Sequence, residues 1–218
     1  MNVIEPRVNE TLIDEIKKIV LEYNNFLEIK NNNINYINLY QKNLQLNKHD
    51  YLLAMIQKVE PINLSLKNNT ILYYGYIVSQ PGNKNQYFHI DYKGKTITYF
   101  IPLVDLNDKN GTEYLFFYDN TNYNKFFDLF IKITKKYIER SEIIDILSTY
   151  DIIYMKDYEF KYVNAPAFSL LSLPNNVFHR GRTNETDHYR VMFQITIELE
   201  PIDYIVNEEF INIAENDD

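Results

Sequence analysis

Ile71-Leu72-Tyr73-Tyr74-Gly75-Tyr76-Ile77-Val78 is the stretch on which the reading of the fold turns. Upstream of it, apolar residues recur at helical spacing; from it onward the period is that of a strand. Its aromatic and β-branched side chains suit a pleated, half-buried surface. Pro81-Gly82 then supplies the centre of a type II turn. Gln86–Asp91, Thr96–Leu106 and Thr112–Tyr118 repeat the strand signature, and Asn110-Gly111 suits a hairpin turn between the last two. Asn122–Leu147 reads as helix, with Phe126, Phe127, Phe130, Ile133 and Tyr137 apolar and Lys132, Lys135 and Lys136 polar. Strands resume at Ile152–Met155, Phe160–Val163, Phe168–Leu173 and Val191–Leu199. Short strands in two clusters, split by one helical insertion, predict a mainly β fold with flanking helices. The architecture expected is a double-stranded β-helix, a cupin-like jelly roll.

Working outward, Leu12, Ile13, Ile16, Ile19, Val20, Tyr23, Phe26 and Leu27 keep helical spacing, with Asn9 or Thr11 as the cap. The polar run Lys30–Asn35 breaks that pattern, and a second helical stretch follows, clearest from His49 to Val59. Such helices normally cover a sheet. The expected organisation is an N-terminal α-helical layer over residues 1–69 and a jelly-roll core over 70–200, with its helical insertion at about 122–148. Residues 201–218 form an acidic tail.

Composition narrows the functions. The chain has 218 residues, a net charge of −8 and no cysteine. Its acidity gives no field to attract nucleic acid or an anionic membrane. Without cysteine there are no disulfides, no thiolate catalysis and no Cys-ligated zinc or iron–sulfur centres. No apolar run approaches the roughly 18 residues of a membrane span. The opening MNVIEPRVNETLIDEI lacks a basic segment followed by an apolar core. The expectation is a soluble intracellular protein acting on a small molecule or a side chain.

Three residues have the makings of a metal site. His89 and Asp91 form a His-x-Asp tripeptide, and His179 lies in LSLPNNVFHRGRTNETDHYRVMFQITIEL. In a strand, residues i and i+2 point to one side, so His89 and Asp91 can reach one metal. Two imidazoles and a carboxylate are the facial set that holds Fe(II) and leaves the opposite positions open. Arg190 lies eleven residues past His179 and begins a strand whose alternation points Arg190, Met192 and Gln194 to one face. Its planar guanidinium can clamp a carboxylate in two charge-assisted bonds. A metal with open positions beside a carboxylate anchor suits an enzyme with a keto-acid cosubstrate. Arg180 and Arg182 flank the second histidine; they meet an anionic substrate or pair with nearby acids such as Glu185 and Asp187.

Over about residues 70 to 200 the chain resembles the Fe(II)/2-oxoglutarate-dependent dioxygenase superfamily, most closely its phytanoyl-CoA dioxygenase-like branch. The resemblance rests on His89-Ile90-Asp91, the following apolar strand, Leu103-Val104-Asp105, Asn110-Gly111, and the block from His179-Arg180-Gly181 through Asn184 and Thr186 to Arg190. It implies that His89, Asp91 and His179 hold Fe(II). It also implies that Arg190 pairs with the distal carboxylate of 2-oxoglutarate, and that O2 is the oxidant. A tyrosine or threonine hydroxyl usually completes the anchor in that family, and Tyr76, Tyr87, Thr98 and Tyr99 are the candidates here. Relatives that halogenate carry a small residue in place of the carboxylate, so Asp91 favours hydroxylation or another oxidation over halogenation. Three rivals stand beside this reading: a prolyl-hydroxylase-like protein hydroxylase, a jelly-roll binding module without turnover, and a cupin-type metalloenzyme without 2-oxoglutarate.

Overall fold

The computed structural model describes residues 2–5, 9–14, 35–38, 56–91, 95–118, 138–149, 158–174 and 177–199. Along the chain lie β1 (Asn2–Glu5), β2 (Asn35–Asn38), α1 (Glu60–Leu66), β3 (Thr70–Ser79), β4 (Thr96–Pro102) and β5 (Thr112–Phe117). Then follow α2 (Arg140–Thr149), β6 (Tyr158–Tyr162), β7 (Leu170–Pro174), β8 (His179–Gly181) and β9 (Arg190–Glu198). Six strands form one sheet in the order β1-β7-β4-β9-β3-β2, and three form a second in the order β6-β5-β8. Every pairing between these strands is antiparallel. A mainly antiparallel β architecture of two sheets is what the strand period from Thr70 predicts.

The alternation of β9 explains the layers. Val191, Phe193, Ile195 and Ile197 pack with Tyr74, Tyr76, Val78, Tyr99 and Ile101 of the neighbouring strands, and with Leu12, Ile13, Ile56 and the α1 residue Ile62. Met192, on the other face, joins Phe100, Leu171, Leu173, Leu106, Val163 and Ala165, with Ile77 and Tyr114 alongside. Buried on both faces, the strand needs a nearly continuous apolar run. The three-stranded sheet turns Leu115 and Phe117 outward, where they pack with Phe88, Phe178 and the α2 residues Ile143 and Leu147. The order through the molecule is therefore α1, large sheet, interior, small sheet, α2.

Several local expectations meet the coordinates directly. Asn9 caps the helical turn at residues 10–14, its Oδ1 accepting from Leu12 N–H at 3.0 Å. Gly82 has φ +74°, and Asn83 N–H donates to Gln80 O at 3.2 Å, closing the turn around Pro81-Gly82. Others are corrected. Asn35–Asn38 is a strand paired with β3, not the start of a helix. Gln86–Asp91 is not a regular strand; Phe88 and His89 make single antiparallel bridges to Ile138 and His179. Asn110-Gly111 is not a hairpin turn, because β4 and β5 belong to different sheets. The second N-terminal helix was expected to be clearest up to Val59, whereas α1 starts at Glu60 with Pro61 in its first turn. Most of the helix expected at residues 12–27, residues 49–55 of the second helix, residues 122–137 of the insertion, the strand at 152–155 and the acidic tail lie outside the described residues. Among the described residues, no helix is long and apolar enough to cross a membrane.

Gly111 shows why the connection needs glycine. A Cβ there would stand 2.5 Å from Val163 O and 2.6 Å from Asn107 O, both backbone atoms. Gly111→Ala should therefore force the loop apart and destabilise the protein by about 1–3 kcal/mol. A urea midpoint unchanged from that of the parent would refute this crowding.

Candidate metal centre

His89 and His179 face each other across one antiparallel bridge. His89 N–H donates to His179 O at 2.9 Å, and His179 N–H returns the bond at 3.0 Å. Directly opposed residues send their side chains to the same side, and the two imidazole centroids are 4.7 Å apart. Asp91, two residues on from His89, returns to that side. Its Oδ1 is 3.5 Å from His89 Nε2 and 3.4 Å from His179 Nε2. One ligand atom from each of the three residues falls within 4.8 Å of the others.

The rings are oriented from behind. Tyr87 O lies 2.8 Å from His89 Nδ1, and Val177 O lies 2.9 Å from His179 Nδ1. A carbonyl can only accept, so each Nδ1 keeps its hydrogen and the Nε2 lone pair of the neutral ring points at Asp91. Neighbouring ligand atoms on an ion with bonds of about 2.1 Å stand about 3 Å apart. The donor types and spacing therefore suit a divalent transition metal. Burial pushes the Asp91 carboxyl up, but His179 and His89 outweigh it and hold the group well below the usual carboxylate range. Burial pushes the His179 imidazole down, but the Asp91 charge and the Val177 carbonyl carry it above its ordinary value of 6.5. A proton and a metal ion would compete for the same His179 Nε2.

Arg190 opens β9 and is 1% exposed. Its guanidinium donates to Ser79 Oγ at 2.6 Å, to Arg182 O at 3.4 Å and to Asn110 O. Ser79 stands opposite Arg190 in the β3–β9 register. A Cβ on Gly181 would lie 3.3 Å from Arg190 Nη2, so the arginine reaches the strand that carries His179. Ser79 thus sets a hydroxyl beside Arg190 that was not among the four candidates.

The four tyrosine and threonine candidates lie elsewhere. Tyr76 opposes Phe193 and Tyr99 opposes Ile195, so both face α1, away from Arg190 and Met192. Tyr99 Oη bonds Ser65 Oγ at 2.7 Å and Pro61 O at 3.1 Å. Tyr87 is 46% exposed. Thr98 shares the Arg190 face but opposes Thr196, with hydroxyls 3.0 Å apart. Thr196 is six positions along β9 from Arg190, about 20 Å of strand.

Arg180 also departs from the substrate role. It lies between the inward residues His179 and Gly181, so it points to the other face of β8. There its Nε donates to Glu113 Oε2 at 2.7 Å, while Arg140 takes Glu113 Oε1 at 2.9 Å. The Arg180 guanidinium also lies 4.7 Å from the centroid of Phe88, next to His89. Arg182 pairs with Glu185 at 3.1 Å, donates to Asp108 O, and lies over Tyr162.

The rest of the second histidine block is scaffolding. Asn184 is fully buried; its Nδ2 donates to Ser79 O at 3.1 Å and His188 O at 2.7 Å. Its own N–H donates to Asn83 Oδ1 at 2.8 Å, and its Oδ1 accepts from Thr186 Oγ1 at 2.6 Å. Gln86 N–H donates to Gly181 O at 2.8 Å, and Gly181 N–H donates to Gln86 Oε1 at 2.7 Å. These bonds lace residues 79–86 to 181–188 and so carry His89 to His179.

No protein-family model matches the chain, and no curated protein sequence matches it. Solved structures do. SnoK, a non-heme α-ketoglutarate-dependent carbocyclase from nogalamycin biosynthesis, is 17% identical with a TM-score of 0.60, over 88% of this chain and 77% of SnoK. HygX from Streptomyces hygroscopicus, solved with nickel and 2-oxoglutarate bound, is 9% identical with a TM-score of 0.56, over 89% of this chain and 80% of HygX. EvdMO1 is 13% identical with a TM-score of 0.58, over 91% of this chain but 46% of its own, so this chain spans less than half of that protein. At these identities the likeness establishes architecture: the chain has the fold found in non-heme α-ketoglutarate-dependent enzymes such as SnoK.

Proposed function

We propose that the protein is an Fe(II)- and 2-oxoglutarate-dependent dioxygenase that hydroxylates an organic substrate, in the manner of the phytanoyl-CoA dioxygenase-like branch. The observation that carries this is the convergence of His89 Nε2, His179 Nε2 and Asp91 Oδ1 on one point of the shared fold. Iron held there, with 2-oxoglutarate and O2, would supply the oxidising power to turn a substrate C–H into C–OH while the cosubstrate leaves as succinate and CO2. The chain's own part is positional. His89, Asp91 and His179 bind the metal on one side. Arg190 receives the distal carboxylate of 2-oxoglutarate, and Ser79 stands beside it as the partner hydroxyl. The deep burial of Arg190 excludes water and strengthens a charge-assisted contact there.

Arg190→Ala should weaken 2-oxoglutarate binding far more than metal binding, and Lys should restore part of it because a point charge lacks the planar fork. The measurement is an anaerobic titration of 2-oxoglutarate into the Fe(II) protein, followed by the metal-to-ligand absorption band. Equal affinity in parent and Arg190→Ala would remove the anchor assignment. Absence of 2-oxoglutarate-dependent succinate release across a substrate panel would leave a binding module.

A further inference from the structure

The inner face of the small sheet has a depth axis. Alternate residues along β5 and just beyond it become steadily more exposed: Thr112 at 5%, Tyr114 half-buried, Phe116 at 36% and Tyr118 at 60%. The register sets Thr112 opposite Gly181 and Tyr114 opposite His179. On the other side, Tyr114 opposes Lys161 and Phe116 opposes Glu159. Opposed residues share a face. From the interior outward, that face carries Gly181 beside the Arg190 guanidinium, then the row His179, Tyr114, Lys161, then Phe116 and Glu159, then Tyr118. Two strand spacings put the Lys161 backbone about 10 Å from that of His179, within the span of a small molecule.

The groups level with His179, Tyr114 Oη and Lys161 Nζ, can both donate. Lys161 Nζ lies 2.5 Å from Glu159 Oε1, 3.8 Å from the Phe116 centroid and 5.3 Å from that of Tyr118. Tyr118 Oη donates to the same Glu159 oxygen at 2.5 Å. Lys161 can therefore leave Glu159 without stranding it, since Tyr118 stays. The pair is 34% and 41% exposed, so the exchange is cheap. A cationic ligand would have to compete for Glu159 Oε1, which already accepts two bonds.

We propose that the substrate is an organic anion that lies along the inner face of β5 and β6, its carboxylate or phosphate on Lys161 and its apolar body against Phe116, facing the metal ligands. This rests on the metal-site reading above. The test uses the full chain loaded with Zn(II) and saturated with 2-oxoglutarate, titrated by ligand-observed NMR with phenylacetate, phenyl phosphate and the neutral phenylacetamide. The better anion should bind about tenfold more tightly than the amide, as one charge-assisted contact warrants, and the two anions tell carboxylate from phosphate. Lys161→Ala should erase that preference, Lys161→Arg should keep it, and Glu159→Gln should tighten anion binding by freeing Lys161. Mn(II) in place of Zn(II) should broaden the ring protons of the bound probe. An amide that binds as well as both anions, a preference that survives Lys161→Ala, or an anion that binds without Mn(II) broadening overturns the proposal. Co(II) and 2-oxoglutarate titrations on the same protein separate the two readings. If both bind and the anion preference is missing, only the substrate inference fails. If neither binds, the metal-site reading fails, and the Lys161 preference is then decided on the metal-free chain.

Discussion

His179→Ala should abolish turnover and lower Co(II) affinity by more than about a hundredfold, since changes merely behind a ligand cost about 10–100-fold. The variant should still fold. His179 is buried, but its backbone bonds to His89 do not depend on the side chain. The proton balance gives a second signature. The Asp91 carboxyl is held low and the His179 imidazole is raised. In the metal-free protein, their attraction stabilises the fold between those two values. It is lost below as Asp91 takes a proton and lost above as His179 releases one. A metal must displace a proton on His179, so metal affinity should fall as the pH drops through the raised His179 value, and uptake below that value should release a proton. The Co(II) absorption band followed against pH, with proton release by calorimetry, checks this. Parent-like Co(II) affinity in His179→Ala would remove the metal site.

Glu113→Ala should cost about 3–5 kcal/mol, the usual result of breaking a buried ion pair from one side. Glu113 is 0% exposed and Arg180 is 8% exposed. Removing the carboxylate leaves the Arg180 guanidinium without its shortest salt-bridge partner, and the more distant Glu139, at 3.7 Å, is a weak substitute. Against a total stability of about 5–15 kcal/mol, that is a large share. Arg182→Ala, which breaks a pair with the exposed Glu185, should cost less than about 1 kcal/mol. Urea unfolding of the three proteins reads both values; a Glu113→Ala cost under about 1 kcal/mol would show that the buried pair is not a keystone.

The convergence of His89, Asp91 and His179 was legible because its pattern is local: His-x-Asp needs an extended backbone, and the second histidine needs a neighbouring strand. The partner of Arg190 was not legible, because Ser79 is found only through the β3–β9 register. Thr98 and Tyr99 point to opposite faces, but the sequence could not say which was inward, since β4 is buried on both sides and shows no polar alternation. Arg180 misled because flanking a ligand in a strand means facing away from it. Asn35–Asn38 was missed because four residues at the edge of a sheet carry too short a pattern to distinguish a strand from a helix. The change of period at Thr70, spread over many residues, survived all of these local failures.

The pairing of β3 with β9 also governs when the surroundings of Arg190 can form. Ser79 and Arg190 are 111 residues apart, and they meet only when the last strand closes the large sheet. A nascent chain that has emerged only through β7 carries two of the three ligands and lacks the strand that brings Arg190. Under the proposed function, capture of the cosubstrate is therefore an event of the finished polypeptide, after the slow, non-local closure typical of such topologies. With the proposed site filled, free metal at a hundred times its dissociation constant should hold the native state by about 2.7 kcal/mol, and a shortage of that metal would leave a chain that opens more often.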